Sequence, residues 1–299
     1  MLRHPPRSMG FNVCSFVASP TTTLRFSSMS DPADHLKQAD LDATLAAANA
    51  AVRANPADPK ARAFLYQLNC VLGRWEKALD QLAIYAGLIP DDPDARVTTR
   101  LHQMAIQCEV FRAEVFAGKR TPLILGEPDQ WLAPLMQANQ LLAQGNAEAA
   151  AALRDQAFND APATSGKIDG KPFEWIADAD TRLGPVIELH MEGKYYWVPM
   201  SRIKRIALEA PGNLIDLVFA PAQFVWSNGG EGAGFIPVRY APVGEPNTAP
   251  DPKCALSRLT QWTDLPGNFT VGSGQRMFAT DTDDISLLEV RVLDLSENK

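Results

Sequence analysis

"GKYYWVPMSRI", Gly193–Ile203, sets three aromatic residues in succession. A β-strand sends successive side chains to opposite faces. Read that way, Tyr195 and Trp197 share one face, and Tyr196 and Val198 the other. The run then makes no single flat platform for a ligand. Gly193 follows Glu192 in a tight turn, and Pro199 ends the strand or holds it to an edge. The expected arrangement puts Tyr196 and Val198 inside a β domain. Tyr195 and Trp197 then cover a second surface, against a helical half that lies upstream.

That helical half runs from about Asp34 to Ala161. Asp40–Asn55 repeats Leu41, Leu45, Ala48 and Val52 near the 3.6-residue period of a helix. It stops at Asn55-Pro56, because proline disfavours a helical backbone in the residue before it. Arg62–Leu72 and Trp75–Leu88 follow, joined at Gly73. Leu65, Leu72-Gly73, Trp75, Ala78, Leu82 and Pro90 fall at the spacings of a tetratricopeptide helix pair. Pro56 precedes Pro90 by one repeat of 34 residues. A later pair runs from Leu141 through Gly145, Ala150 and Ala157 to Pro162, but its offset breaks the period. The excess lies in a helix over Asp94–Gly118 and the loop after it. That helix carries a core stripe of Val97, Leu101, Met104, Cys108, Phe111 and Val115. Lys119–Gln130 holds Pro122 and Pro128 and is no continuous helix.

After Phe173 the period becomes two. Val186–His190, Tyr195–Pro199, Ile215–Phe219, Gln223–Trp226, Gly234–Tyr240 and Leu287–Leu293 read as short strands. Asn228-Gly229-Gly230 reads as a hairpin turn. Met200–Ile206 and Ala255–Leu259 read as short helices. The expected fold is α+β in two domains. Residues 34–162 form the TPR-like helical domain, 163–172 a link, and 173–299 a compact, mostly β domain.

The chain has 299 residues, 46% apolar and 21% charged, with a formal charge of −7. That balance is globular. The acidity disfavours binding to a phosphate backbone, which relies on clustered Lys and Arg. No apolar run approaches the length of a membrane span. Cys14, Cys70, Cys108 and Cys254 form neither a metal spacing nor a dense disulfide framework. They read as reduced, cytosolic and mostly buried. Residues 1–28 hold Arg3, Arg7 and Arg25 and no acid, so without them the charge goes from −7 to −10. Residues 1–33 read as an extension or disordered tail outside the fold. A transit-like or signal segment is the alternative.

Catalysis needs groups that converge. His190-x-Glu192 lacks the downstream Pro-Cys-x-x-Cys of a zinc deaminase. His102 lies in a helix, where a solvated or locally paired histidine is the ordinary outcome. Asp178-x-Asp180-x-Arg182 has no further assignable metal ligand, and Arg182 more simply pairs with one carboxylate. "NGGEGAG", Asn228–Gly234, does not join a strand to a helix in a dinucleotide unit. "TSGK", Thr164–Lys167, lacks the flanking residues of a phosphate loop. "GSGQR", Gly272–Arg276, offers backbone donors to an anion with Arg276 as partner, but a turn before a strand is the simpler reading. No catalytic, cofactor or metal residues are assigned.

"RLGPVIELHMEGKYYWVPMSRI", Arg182–Ile203, resembles the TagJ/ImpE family of type VI secretion accessory proteins. So do "DLVFAPAQF" (Asp216–Phe224), "GFIPVRY" (Gly234–Tyr240), "GSGQRMF" (Gly272–Phe278) and "TDTDD" (Thr280–Asp284). "LNCVLGRWEKAL" (Leu68–Leu79) and "FRAEVFAGK" (Phe111–Lys119) extend the resemblance into the helical half. The motif residues include Asp180, Arg182, Gly184, Pro185, Tyr196, Trp197, Pro199, Asp216 and Pro221, then Pro237, Arg239, Tyr240, Gly274, Gln275 and Arg276. They are expected to be structural. Phe219 departs from an expected tryptophan, and Ala241–Glu245 is slightly long. Residues 1–28 match nothing in the family.

The resemblance implies a cytoplasmic adaptor with no cofactor. Its partners would be the small subunit of a contractile sheath and the AAA+ ATPase that recycles it, not nucleic acid or a membrane. A helical repeat presents a concave face to a peptide. Position in the repeat puts Lys60, Ala63, Gln67 and Val71 on that face, and Leu132, Leu135 and Asn139 in the later pair. Two other readings stand beside this one. One is an enzyme of unknown type with a polar site near Asp180, Arg182, Tyr196, Arg239 and Arg276. The other is a generic repeat scaffold for an unrelated partner.

Overall fold

A computed structural model describes residues 32–242 and 251–296. The expectations for residues 1–31 lie outside them. The helices, in chain order, are α1 (Pro32–Lys37), α2 (Leu41–Ala54), α3 (Pro59–Val71), α4 (Trp75–Leu88), α5 (Pro93–Phe116), α6 (Leu132–Ala143), α7 (Ala147–Asp160) and α8 (Pro252–Ala255). The strands are β1 (Leu123–Ile124), β2 (Gly166–Ile168), β3 (Lys171–Phe173), β4 (Ile176–Asp178), β5 (Val186–Met191), β6 (Lys194–Pro199) and β7 (Ile203–Leu208). They continue with β8 (Phe219–Trp226), β9 (Glu231–Pro237), β10 (Thr260–Leu265), β11 (Phe269–Gly274), β12 (Met277–Thr280), β13 (Asp284–Ser286) and β14 (Val292–Leu295).

Local chemistry sets the helix ends. The Asp40 carboxylate accepts the Ala43 N–H at 3.0 Å, and Asp92 accepts the Ala95 N–H at 2.9 Å. Each occupies an otherwise orphaned donor of the first turn. Pro59 and Pro93 sit at first helical positions, where the missing N–H costs nothing. Gly73 and Gly145 take left-handed φ of 65° and 82° where α3 turns into α4 and α6 into α7. These are two helical hairpins, with α5 between them.

Nine strands form one sheet in the order β1-β6-β5-β9-β8-β7-β14-β2-β3. Only β1 joins its neighbour in parallel. One face packs on the small sheet β13-β12-β4, through Ile187, Leu189, Val198 and Ile206 against Ile176 and Phe278. The other face packs on the helices. There Val186, Tyr195 and Trp197 share a core with Cys108, Val115, Leu132 and Leu135. A second helix-facing core joins Leu65, Leu68, Ala78 and Leu82 to Ile215, Val218 and Phe219.

The aromatic run falls as its alternation requires. Tyr195 and Trp197 are 2% and 0% exposed and lie against Phe111 and Phe116 of α5 at ring separations of 6.2 and 6.1 Å. Tyr196 and Val198 join the core of the opposite face. Glu192 and Gly193, with φ of 52° and 73°, make the two-residue turn between β5 and β6. A Cβ on Gly193 would stand 3.2 Å from the Met104 sulfur.

Several expected elements differ. Residues 163–172 are no link. They carry β2 and most of β3, because β2 pairs with β14 and extends the sheet. Ile203 onward is β7, with only Met200–Arg202 helical, because β7 is held between β8 and β14. Ile215–Phe219 is mostly a 3₁₀ turn, Leu214–Leu217, capped by Asn213 and Asp216. Leu287–Glu289 is another such turn before β14. On α5 the buried stripe is rotated from the expected one: Val97 is 60% exposed, while His102, Glu109 and Arg112 are buried. Arg112 sits inside because Glu188 on the sheet meets it, Glu109 because Arg112 does, and His102 because it meets the Tyr66 hydroxyl.

Candidate functional site

The most charged buried region lies where α5 crosses the helix-facing side of the sheet. Glu188 of β5, which shares its face with Val186 and His190, is at the centre. Arg112 of α5 grips it with two bonds, Nε to Oε1 at 2.6 Å and Nη2 to Oε2 at 2.8 Å. Arg276 reaches Glu188 from the other side and also pairs with Asp178. The Tyr195 hydroxyl donates to Glu188 and accepts from Trp197 Nε1 at 2.6 Å. Burial pushes the Glu188 carboxyl upward, but Arg112 and Arg276 outweigh it and hold it well below the usual range. Glu109, also bonded to Arg112 at 3.3 Å, is raised because burial wins there.

His190 sits beside this cluster, 3.6 Å from Glu109, with no hydrogen-bond partner on either ring nitrogen. Burial, with Arg112 and Arg276 adding, lowers its pKa to about 3. It is neutral and packs on Tyr195 and Phe219. His102, expected to be solvated or locally paired, is paired but buried, 3.1 Å from the Tyr66 hydroxyl.

The polar residues weighed as a catalytic site go to separate tasks. Arg182 forks onto Asp180, at 2.9 and 2.6 Å, and donates to Ala241 O. Arg239 donates to three carbonyls: Cys70 and Val71 at the end of α3, and Ala255. Arg276 is buried with Asp178 and Glu188, and Tyr196 points to the opposite face of the sheet. No cleft unites them among the described residues. The donors of "GSGQR" do meet an anion, but an internal one: Gly272 N–H bonds Asp180 Oδ2 at 3.0 Å. Among the described residues, no group of three His, Cys, Asp or Glu side chains is placed to hold a metal ion.

The other motif residues hold turns and seams. Gly184, at φ 55°, lies under Phe158 of α7, whose ring a Cβ would meet at 2.3 Å. Pro185 O accepts Met200 N–H, Pro199 lies opposite Val186, and Pro221 opposite Phe235. Asp216 accepts from Gly212 and Asn213, at 2.9 and 2.8 Å. Pro237 O accepts Arg276 Nε, and Tyr240 OH bonds both N–H and C=O of Met277. Gly274 ends β11, and Gln275 bridges Ser257 O and Leu288 N–H. Phe219 fills its place by packing on Trp75 and His190.

The residues assigned to a concave partner face are mostly occupied within the chain. Gln67 accepts Ile215 N–H at 3.2 Å, and Val71 is fully buried. Leu132 and Leu135 are 0% exposed, and Asn139 donates to Arg182 O at 2.7 Å. Turns of the β half at Ile215 and Arg182, together with β5 and β6, cover most of the face that a free-standing repeat would present. Lys60 remains exposed, and Ala63 is half-buried. A groove of about 370 Å³ lies instead between α4 and α5. Leu79, Leu82, Ala83, Ala86 and Met104 supply its apolar lining, and Thr99, Arg100, Gln103 and Gln107 its polar lining.

Sequence reasoning missed Arg112, Glu109 and Glu188. A signal was present: Glu188 interrupts an otherwise apolar strand, Val186-Ile187-Glu188-Leu189.

Two comparisons bear on the family. The model for the ImpE protein family matches residues 170–294. The type VI secretion system accessory component TagJ of Pseudomonas aeruginosa is 44% identical over 261 residues, covering 87% of this chain and 89% of that protein. The chain belongs to the TagJ/ImpE family. Its fold is shared with the crystal structure of protein VPA1032 from Vibrio parahaemolyticus, at a TM-score of 0.80 and 22% identity, over 89% of this chain and 98% of the other. The TagJ match thus extends across the helical half, α5 included, and of the motif residues Arg276 is the one that joins the ionic seam.

Proposed function

We propose that the protein is a cytoplasmic, non-enzymatic accessory component of a type VI secretion system. In this reading it is an adaptor that engages the small sheath subunit and is linked to the AAA+ ATPase that recycles sheath. The observation that carries the reading is the 44% identity to TagJ over 87% of the chain. A further observation supports it. The charged motif residues Asp180, Arg182, Arg239 and Arg276 are spent on internal contacts, where substrate would have no access. No described helix is long and apolar enough to cross a membrane.

The test is co-purification of the full chain with the small sheath subunit and, separately, with the recycling ATPase. Retention of the sheath subunit at stoichiometric level is expected. Retention of neither partner would overturn the proposal.

A further inference from the structure

We draw no further inference here: the strongest candidate, the half-polar groove between α4 and α5 lined by Leu79, Ala83, Met104, Arg100 and Gln107, carries nothing because nothing in the structure shows what covers it.

Discussion

Trp197 is fully buried between the sheet and α5, and its indole N–H is bound to Tyr195 OH. Its removal leaves a cavity that neighbouring strands cannot collapse into. Trp197→Ala should cost about 3–5 kcal/mol in denaturant unfolding; an unchanged midpoint would refute the packing argued for it. Glu188 serves two guanidiniums at once. Glu188→Ala leaves Arg276 with Asp178 alone and Arg112 with the more distant Glu109 alone in a dry site, and should cost about 3–5 kcal/mol. Arg120→Ala, at an exposed ion pair with Glu114, should cost under about 1 kcal/mol by the same measurement. Equal losses would mean that the seam is not electrostatically dry. His190 gives a pH dependence. Its folded pKa of about 3 lies below the unfolded value, so below about pH 6.5 the unfolded chain takes a proton that the folded chain refuses. Stability therefore falls as pH falls through that window. Between pH 7.5 and 5.0, wild type should lose about 2 kcal/mol more than His190→Leu. His102 has the same sign and stays in both proteins, so it cancels. Parallel curves would exclude His190 as the source. The alternation of Tyr195-Tyr196-Trp197 was legible in sequence because period two is a local property. The pairing of Arg112 with Glu188 was not, because they lie 76 residues apart.

At the scale of elements, α3 depends on a residue from outside the helical half. Its last turn presents Cys70 and Val71 carbonyls that Arg239 collects, together with Ala255 O. Arg239→Ala should cost about 2–3 kcal/mol, since bonds to a charged donor are the stronger kind. Faster amide exchange in the last turn of α3 should accompany it. Lysine should rescue only part, because it has no planar fork to span three acceptors. Unaltered exchange in α3 would show the clamp to be idle. α4 was legible to the residue, because its termini are marked by Gly73 and Pro90. β7 was not: "SRIKRIAL" has no clean alternation, and its strand form is imposed by β8 and β14 on either side.

The whole molecule has one consequence that neither half has alone. The helix-facing side of the sheet and the helices share two cores, and the ionic seam crosses between them. Full-chain unfolding should therefore be a single transition, coincident by circular dichroism and tryptophan fluorescence. Residues 32–162 alone should fail to unfold cooperatively, because Leu132, Leu135 and Val71 would face water. Two separated transitions, or a stable isolated helical half, would contradict this. The sequence by itself determined the α+β class, the helical hairpins, the tight turn at Gly193 and the family, since all of these rest on local period, punctuation and motif order. Only the tertiary structure decided that residues 163–172 carry a hairpin of the sheet, β2 and most of β3, and that most of the expected partner face is interior. The physical reason is that pairing across a sheet and burial between layers join residues far apart in the chain, and hydrophobic period shows which side of an element is apolar without saying what covers it.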